Sequence, residues 1–261
     1  MKNNFRKFLI RFLFLLALIG LLSCNVFSTP VASTLAPIQS LVSQNHTLTF
    51  TTISETSASP VYTLTAQVPL LTGSNDPRVL QFNQQAAALI QQEVDRFKQS
   101  LAGASNSPIA MGSFFDLKYS LVSPWSDILS LKFDVDSYHD GAAHPFHYSR
   151  AFTFDLATGH QVNLDQLFLP GTNYLQVLSD YCKTELAGRD IAFDASITGA
   201  DPLPDNYQNW NISADGLVIT FDEYQVAAYA AGPQIVTIPY AVLAGILDMQ
   251  GPLAGFSFHK V

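Results

Sequence analysis

Ile128-Leu129-Ser130-Leu131-Lys132-Phe133-Asp134-Val135-Asp136-Ser137-Tyr138 is the stretch whose reading decides the fold class. Leu129, Leu131, Phe133 and Val135 fall on one face, whereas Lys132, Asp134 and Asp136 fall on the other. A period of two with one apolar face is that of a strand half covered by a core. The same strand character returns from His147 to Asp155. Between the two lies Tyr138-His139-Asp140-Gly141-Ala142-Ala143-His144-Pro145-Phe146-His147-Tyr148, which holds three of the six histidines. Small residues and a proline interrupt the alternation there, so the two strands carry a polar loop between them.

Moving outward, Phe114–Val122 alternates as a strand, and Ser123-Pro124-Trp125-Ser126 reads as a turn into Ile128. Together with Ala157-Thr158-Gly159 and the short stretch Gln161-Val162-Asn163, these strands predict an antiparallel meander rather than a βαβ pattern. Upstream, Thr47–Ile53 and Val61–Val68 alternate around a turn at Ser57–Pro60, and Pro69 and Gly73 end the second strand. Asp76-Pro77 then places an N-cap acid before a proline at the first helical position. Val79, Phe82, Ala86, Leu89, Ile90, Val94, Phe97 and Leu101 recur at spacings of three and four, a helix stripe that needs a sheet to cover. Downstream, a second helix over 173–186 buries Tyr174, Leu175, Leu178, Cys182 and Leu186. Residues 189–208 read as a loop; Trp210–Ile212 and Leu217–Phe221 flank an Asp215-Gly216 hairpin turn; Gln234–Tyr240 is the last strand. The fold class is α+β: antiparallel sheets with a long N-terminal helix and a second helix packed on them.

The first residues set the compartment. Lys2, Arg6, Lys7 and Arg11 form a basic region without acids, and Phe8–Leu22 is apolar apart from Arg11 and Gly20. Leu21-Leu22-Ser23-Cys24 reads as a lipobox, so residues 1–23 are expected to be a lipoprotein signal peptide and Cys24 the lipidated residue. The Ser, Thr, Pro and Ala mixture up to residue 46 has the composition of a tether. Removal of residues 1–23 leaves nine bases against twenty-one acids, a formal net charge of −12. Such a surface disfavours nucleic acid and favours cationic partners. Cys182 is then without a disulfide partner and is expected to be a packing residue.

Motifs for chemistry are sparse. No Gly-x-Ser-x-Gly elbow occurs, and Ser257-Phe258-His259-Lys260 fits Ser-x-x-Lys only at the extreme end of the sequence. Asp134 and Asp136, about 6.6 Å apart along a strand, have the separation of a glycosidase pair but also that of an ordinary solvated strand face. His139, His144 and His147, with Asp140 and His160, match no trusted zinc spacing. Tyr224, Tyr229 and Tyr240 are amphipathic rings of the kind that interfaces and glycan sites use. Asn211-Ile212-Ser213 fits a glycosylation sequon, which a bacterial lipobox makes a coincidence.

Three blocks carry a resemblance. Tyr62–Val68 followed by the helix through Asn83 is similar to the N-terminal part of the non-catalytic PdaC-like domain of peptidoglycan deacetylases. Asp140-Gly141-Ala142-Ala143-His144-Pro145, with Phe154–Gly159 and Leu164–Phe168 after it, resembles the Gly-Gly-Ala-His turn of the extracytoplasmic domain of RsiV-type lysozyme-binding anti-sigma factors. Gly216–Tyr224 through Ala230-Ala231-Gly232 to Ile238-Pro239-Tyr240 resembles the C-terminal signature of that family, a domain family of unknown function. Ala142 stands where the family has a second glycine. Neither a cytoplasmic anti-sigma segment nor a deacetylase catalytic domain accompanies these blocks, so the resemblance implies an α+β module outside the membrane, not an activity.

The resulting division is signal peptide 1–23, lipidated Cys24 and linker 24–46, a PdaC-like part 47–125, an RsiV-like part 126–250 and a tail 251–261. The expected role is a membrane-anchored binding or sensing module at the bacterial cell envelope, recognising lysozyme-like cationic proteins or peptidoglycan and not nucleic acid. His139, Asp140, Gly141, His144, His147, Tyr224 and Tyr229 are the candidate partner-binding or loop-ordering residues. No residue is assigned to catalysis, metal or cofactor. The alternative is a cell-wall hydrolase or deacetylase with a site centred on the histidine loop.

Overall fold

In the computed structural model the described residues are 36–41, 46–101, 112–125, 127–191 and 198–254. The expected signal peptide and Cys24 lie outside them, as does Ser257–Lys260.

Seven strands form the first sheet in sequential order: β1 (Ala36–Leu41), β2 (His46–Ala58), β3 (Val61–Thr72), β4 (Ser113–Trp125), β5 (Ile128–Tyr138), β6 (Phe146–Asp155) and β7 (His160–Gln161). All neighbouring pairs are antiparallel except β3 and β4, which run parallel over Tyr62–Ala66. The long helix α1 (Pro77–Ser100) lies between those two strands in sequence, so the meander begins only at β4. A parallel pair requires such a crossover, which the 24-residue helix supplies.

Local chemistry explains the element ends. Asp76 caps α1, its Oδ1 accepting the Arg78 backbone N–H at 2.9 Å, with Pro77 at the first helical position. The turn expected at Ser123–Ser126 is instead strand as far as Trp125, which pairs with Ile128. A register shift between Leu121 and Ser123 accommodates this, because a bulge lets Pro124 stay in the ladder without donating. Likewise β3 continues through Pro69 to Thr72, where its far side no longer pairs with β4. Strand structure also reaches into the stretch read as linker, since β1 pairs along β2 with an irregularity between Pro37 and Gln39.

The stripe of α1 covers one face of the sheet. Val79, Phe82, Ala86, Ile90, Val94 and Phe97 pack on Leu64, Phe115, Leu117, Leu129, Leu131, Phe133, Val135, Phe152 and Phe154. The alternation in β5 therefore sorts its faces as expected, and burying each such side chain contributes about 1.5–3 kcal/mol. One member of the helix face is not apolar: Glu93 is buried among these residues.

A second core lies beyond the other face of β5 and β6. Here α2 (Tyr174–Ala187) covers a three-stranded antiparallel sheet of β8 (Trp210–Ile212), β9 (Gly216–Phe221) and β10 (Gln234–Pro239), followed by the short helix α3 (Tyr240–Leu243). Cys182 is fully buried there, and burial pushes its thiol up to about 12, so it is a packing residue. Tyr240, a candidate surface ring, is buried, with its hydroxyl donating to the Ser213 carbonyl at 2.8 Å. The two cores meet at a small polar junction. Asn211 Nδ2 donates to Ser130 Oγ at 3.0 Å and to the Leu131 carbonyl at 2.9 Å, and Ser130 Oγ also accepts the Ile212 N–H. The asparagine of the apparent sequon is thus buried structure.

Candidate functional site

The histidine loop closes tightly at its base. Ala142 N–H donates to the His139 carbonyl at 2.9 Å, Gly141 has φ +88°, and Asp140 N–H donates to Ser113 Oγ at 3.0 Å. Gly141 is the residue that needs a left-handed backbone. Ala142 does not, so its replacement of the family's second glycine costs the turn nothing.

What the loop meets is set by β6. Before Phe154 and Asp155, which pair with β7, the outer side of this strand has no strand neighbour among the described residues, and its backbone donors need partners. Two carboxylates supply them. Glu223 Oε2 accepts the His147 N–H at 3.1 Å, and Asp222 Oδ1 accepts the Ser149 N–H at 2.8 Å. Asp222 Oδ2 also takes Asn209 Nδ2 at 3.0 Å, while burial pushes the Asp222 carboxyl above its usual range. The segment after β9 is thereby fixed along the strand edge. Its next residue, Tyr224, has φ +65°, the one left-handed non-glycine residue among those described. A bulky residue there stores about 1–3 kcal/mol of backbone strain, which the hydrogen bonds of Asp222 with Gln225 hold in place.

This geometry assembles an aromatic shelf. His144 lies against Tyr229 with ring centroids 4.0 Å apart and planes tilted by 33°, and Tyr224 stacks on Tyr229 at 5.6 Å. His144 Nε2 lies 3.1 Å from the Tyr224 hydroxyl, and its Nδ1 lies 2.7 Å from the Pro145 carbonyl, which also accepts the Tyr229 hydroxyl at 3.1 Å. Tyr224 remains 57% exposed, so the shelf is open to solvent.

The three histidines do not converge. His139 lies tilted against Phe97 at 5.6 Å and His147 binds Asp136 through Nδ1, while His144 belongs to the shelf. His160 is exposed on β7. Among the described residues no group of three or more His, Cys, Asp or Glu is placed to hold a metal ion. Asp134 and Asp136 are each engaged by their own partner, Lys132 and His147, and line a shallow acidic hollow with Glu223.

Sequence reasoning brought out His144, Tyr224 and Tyr229 but missed Asp222 and Glu223, the clamp that places the tyrosines. Their signal was present as two consecutive acids directly after a buried strand, but only the unpaired edge of β6 gives them a purpose. Glu93 was missed too, although it lies three residues after Ile90 and four before Phe97, within the apolar stripe.

Residues 165–241 match the family described as protein of unknown function DUF3298. The match takes in α2 and all three strands of the second sheet, up to the start of α3. The esterase Rv3036c of Mycobacterium tuberculosis is 34% identical over 106 residues, 40% of this chain and 45% of that protein. The peptidoglycan-N-acetylmuramic acid deacetylase PdaC of Bacillus subtilis is 26% identical over 163 residues, 61% of this chain and 35% of the deacetylase. The chain thus spans less than half the length of these curated relatives. A DUF3298 family protein from Bacteroides fragilis has the same fold, with a TM-score of 0.58 at 16% identity over 86% of this chain and 96% of that one. A second, from Pseudomonas aeruginosa, gives 0.56 at 14% identity over 84% and 95%. The PdaC-like resemblance read from the sequence therefore stands, within a DUF3298-type α+β fold.

Proposed function

We propose that this chain is an extracytoplasmic binding or sensing module of the bacterial cell envelope, lipid-anchored through Cys24, whose aromatic shelf recognises a lysozyme-like protein or peptidoglycan. The observation that carries this reading is Tyr224, strained at φ +65° yet 57% exposed and stacked against Tyr229 beside His144. Strain held at an exposed ring costs stability and is of use to a surface that must present the ring. Glu223, the neighbour of Tyr224 in sequence, lines an acidic hollow with Asp134 and Asp136 that suits a cationic partner, and tyrosine faces suit both cations and sugar rings. The names of the relatives, a peptidoglycan deacetylase among them, support an envelope setting. No described helix is long and apolar enough to cross a membrane.

Retention on immobilised lysozyme and on purified peptidoglycan, at low and high salt, tests the proposal. Wild type should be retained on one of them, and Tyr224→Ala with Tyr229→Ala should be lost while remaining folded. Retention of wild type on neither, at either salt, refutes it. A second reading, a cell-wall hydrolase or deacetylase using His144, draws on the names of the esterase and the deacetylase. It requires activity on peptidoglycan that His144→Ala abolishes in a folded protein.

A further inference from the structure

Beside α1, on the face of β6 opposite His147 and Ser149, is a cleft of about 380 Å³. Phe97, Phe115, Phe146 and Tyr148 give it aromatic walls, and Arg96 and Arg150 bring two guanidinium groups to it. Both arginines are tied to the buried carboxylate of Glu93. Arg96 NH1 donates to Oε2 at 2.6 Å, and Arg150 Nε donates to Oε1 at 2.8 Å. Tyr148 adds its hydroxyl to Glu93 Oε2 at 2.9 Å, and the Arg150 guanidinium lies 4.6 Å from the centroid of the Tyr148 ring.

We propose that this cleft is a second binding site, separate from the shelf, for a carboxylate carried on a six-membered ring. Glu93 neutralises one of the two guanidinium charges and fixes both groups from below. Among the described residues, the NH2 group of Arg150 donates to no protein acceptor, whereas Arg96 also interacts with the Tyr148 hydroxyl. Two guanidinium groups held side by side, one with an unused donor, are an arrangement that recognises a carboxylate. The aromatic walls supply the ring contact, with Phe146 43% exposed at the mouth. The acid that also lines the cleft, Asp222, has its two oxygens occupied by Ser149 N–H and Asn209 Nδ2 and is pushed toward its neutral form by burial. Those two donors, with Arg150 nearby, partly offset its charge toward an incoming anion. The volume lies within the range of small-molecule sites, large enough for one ring and its substituents.

Calorimetric titration of the protein with benzoate and with N-acetylmuramic acid, against their neutral counterparts benzamide and N-acetylglucosamine, tests the site. At least one acid should bind about tenfold or more tightly than its neutral counterpart, since a charge-assisted hydrogen bond is at stake. Benzoate as the better ligand marks an aromatic acid, and N-acetylmuramic acid marks an acidic sugar. Arg96→Gln alters a side chain 58% exposed, so the fold should survive, and it should weaken binding about tenfold. Phe146→Ala should weaken it as well, whereas Tyr224→Ala on the shelf should leave it unchanged. Three results overturn the proposal: no acid bound up to about 10 mM, acid and neutral bound alike, or Arg96→Gln binding as tightly as wild type. Loss of binding in Tyr224→Ala would overturn the separation of the two sites.

Discussion

Replacing Glu93 by leucine asks whether the buried carboxylate holds this face of the protein together or only burdens it. Its side chain is 4% exposed and accepts from Tyr148, Arg150 and Arg96. The Tyr148 bond, made by a half-buried hydroxyl to a charged acceptor, contributes about 1.5–3 kcal/mol. Arg150 is 35% exposed, and solvent screening reduces its pair to roughly 1 kcal/mol or less. Arg96 is 58% exposed and sits one helical turn away, which leaves a few tenths. Against these stands the desolvation of the carboxylate, several kcal/mol in an apolar setting but lowered by three donors; leucine would recover roughly 1–2 kcal/mol of it. The net expectation for Glu93→Leu is destabilisation by about 2 kcal/mol, which for a domain of this size lowers Tm by about 4–8 °C. Glu93→Gln, which keeps the shape and one acceptor, should lose about half as much. Calorimetry of the three proteins at neutral pH reads this directly. A Glu93→Leu protein as stable as wild type, or more so, refutes the reasoning and shows that packing alone would serve at this position.

Tyr224→Gly should raise stability relative to Tyr224→Ala by about 1 kcal/mol, because only glycine relieves the left-handed backbone; equal denaturant midpoints would count against strain at φ +65°. Asn211→Ala removes both Nδ2 bonds to β5 and should cost about 1–3 kcal/mol, read from the urea midpoint. At Asp76, the side-chain hydrogen bonds with Arg78 and the backbone bond from its N–H lower the carboxyl to about 2. A depressed pKa stabilises the fold above the unfolded value of 3.8 and loses that contribution as pH falls toward 2. The Tm difference between wild type and Asp76→Asn should therefore shrink over that interval, and a constant difference would refute the linkage.

Where the chain carries a period, the sequence was readable. The strand β5, the helix α1 with its Asp76-Pro77 start and the β8–β9 hairpin all announce themselves by spacing and caps. The irregular strand ends were not readable: Pro124 and Pro69 argue for turns, yet each sits in a ladder whose partner tolerates a missing donor. The parallel pairing of β3 with β4 was hidden for a similar reason, since alternation states which face is buried and not the direction of the neighbour.

The candidate site divides in the same way. His144, Tyr224 and Tyr229 drew notice as residue types, but their meeting depends on Asp222 and Glu223 reaching across to the unpaired donors of β6, more than seventy residues away in sequence. His139 and His147 were grouped with His144 by proximity along the chain, yet their nearest ring and acid partners, Phe97 and Asp136, belong to other elements.

By itself the sequence determined the α+β class, the faces of the regular elements and the inert packing role of Cys182, because each depends on local composition or period. The tertiary structure decided strand direction, the junction at Asn211, the buried Glu93 with its two arginines and the exposed shelf. These depend on which unsatisfied polar groups distant segments present to one another once the apolar faces have closed, and no local pattern encodes that.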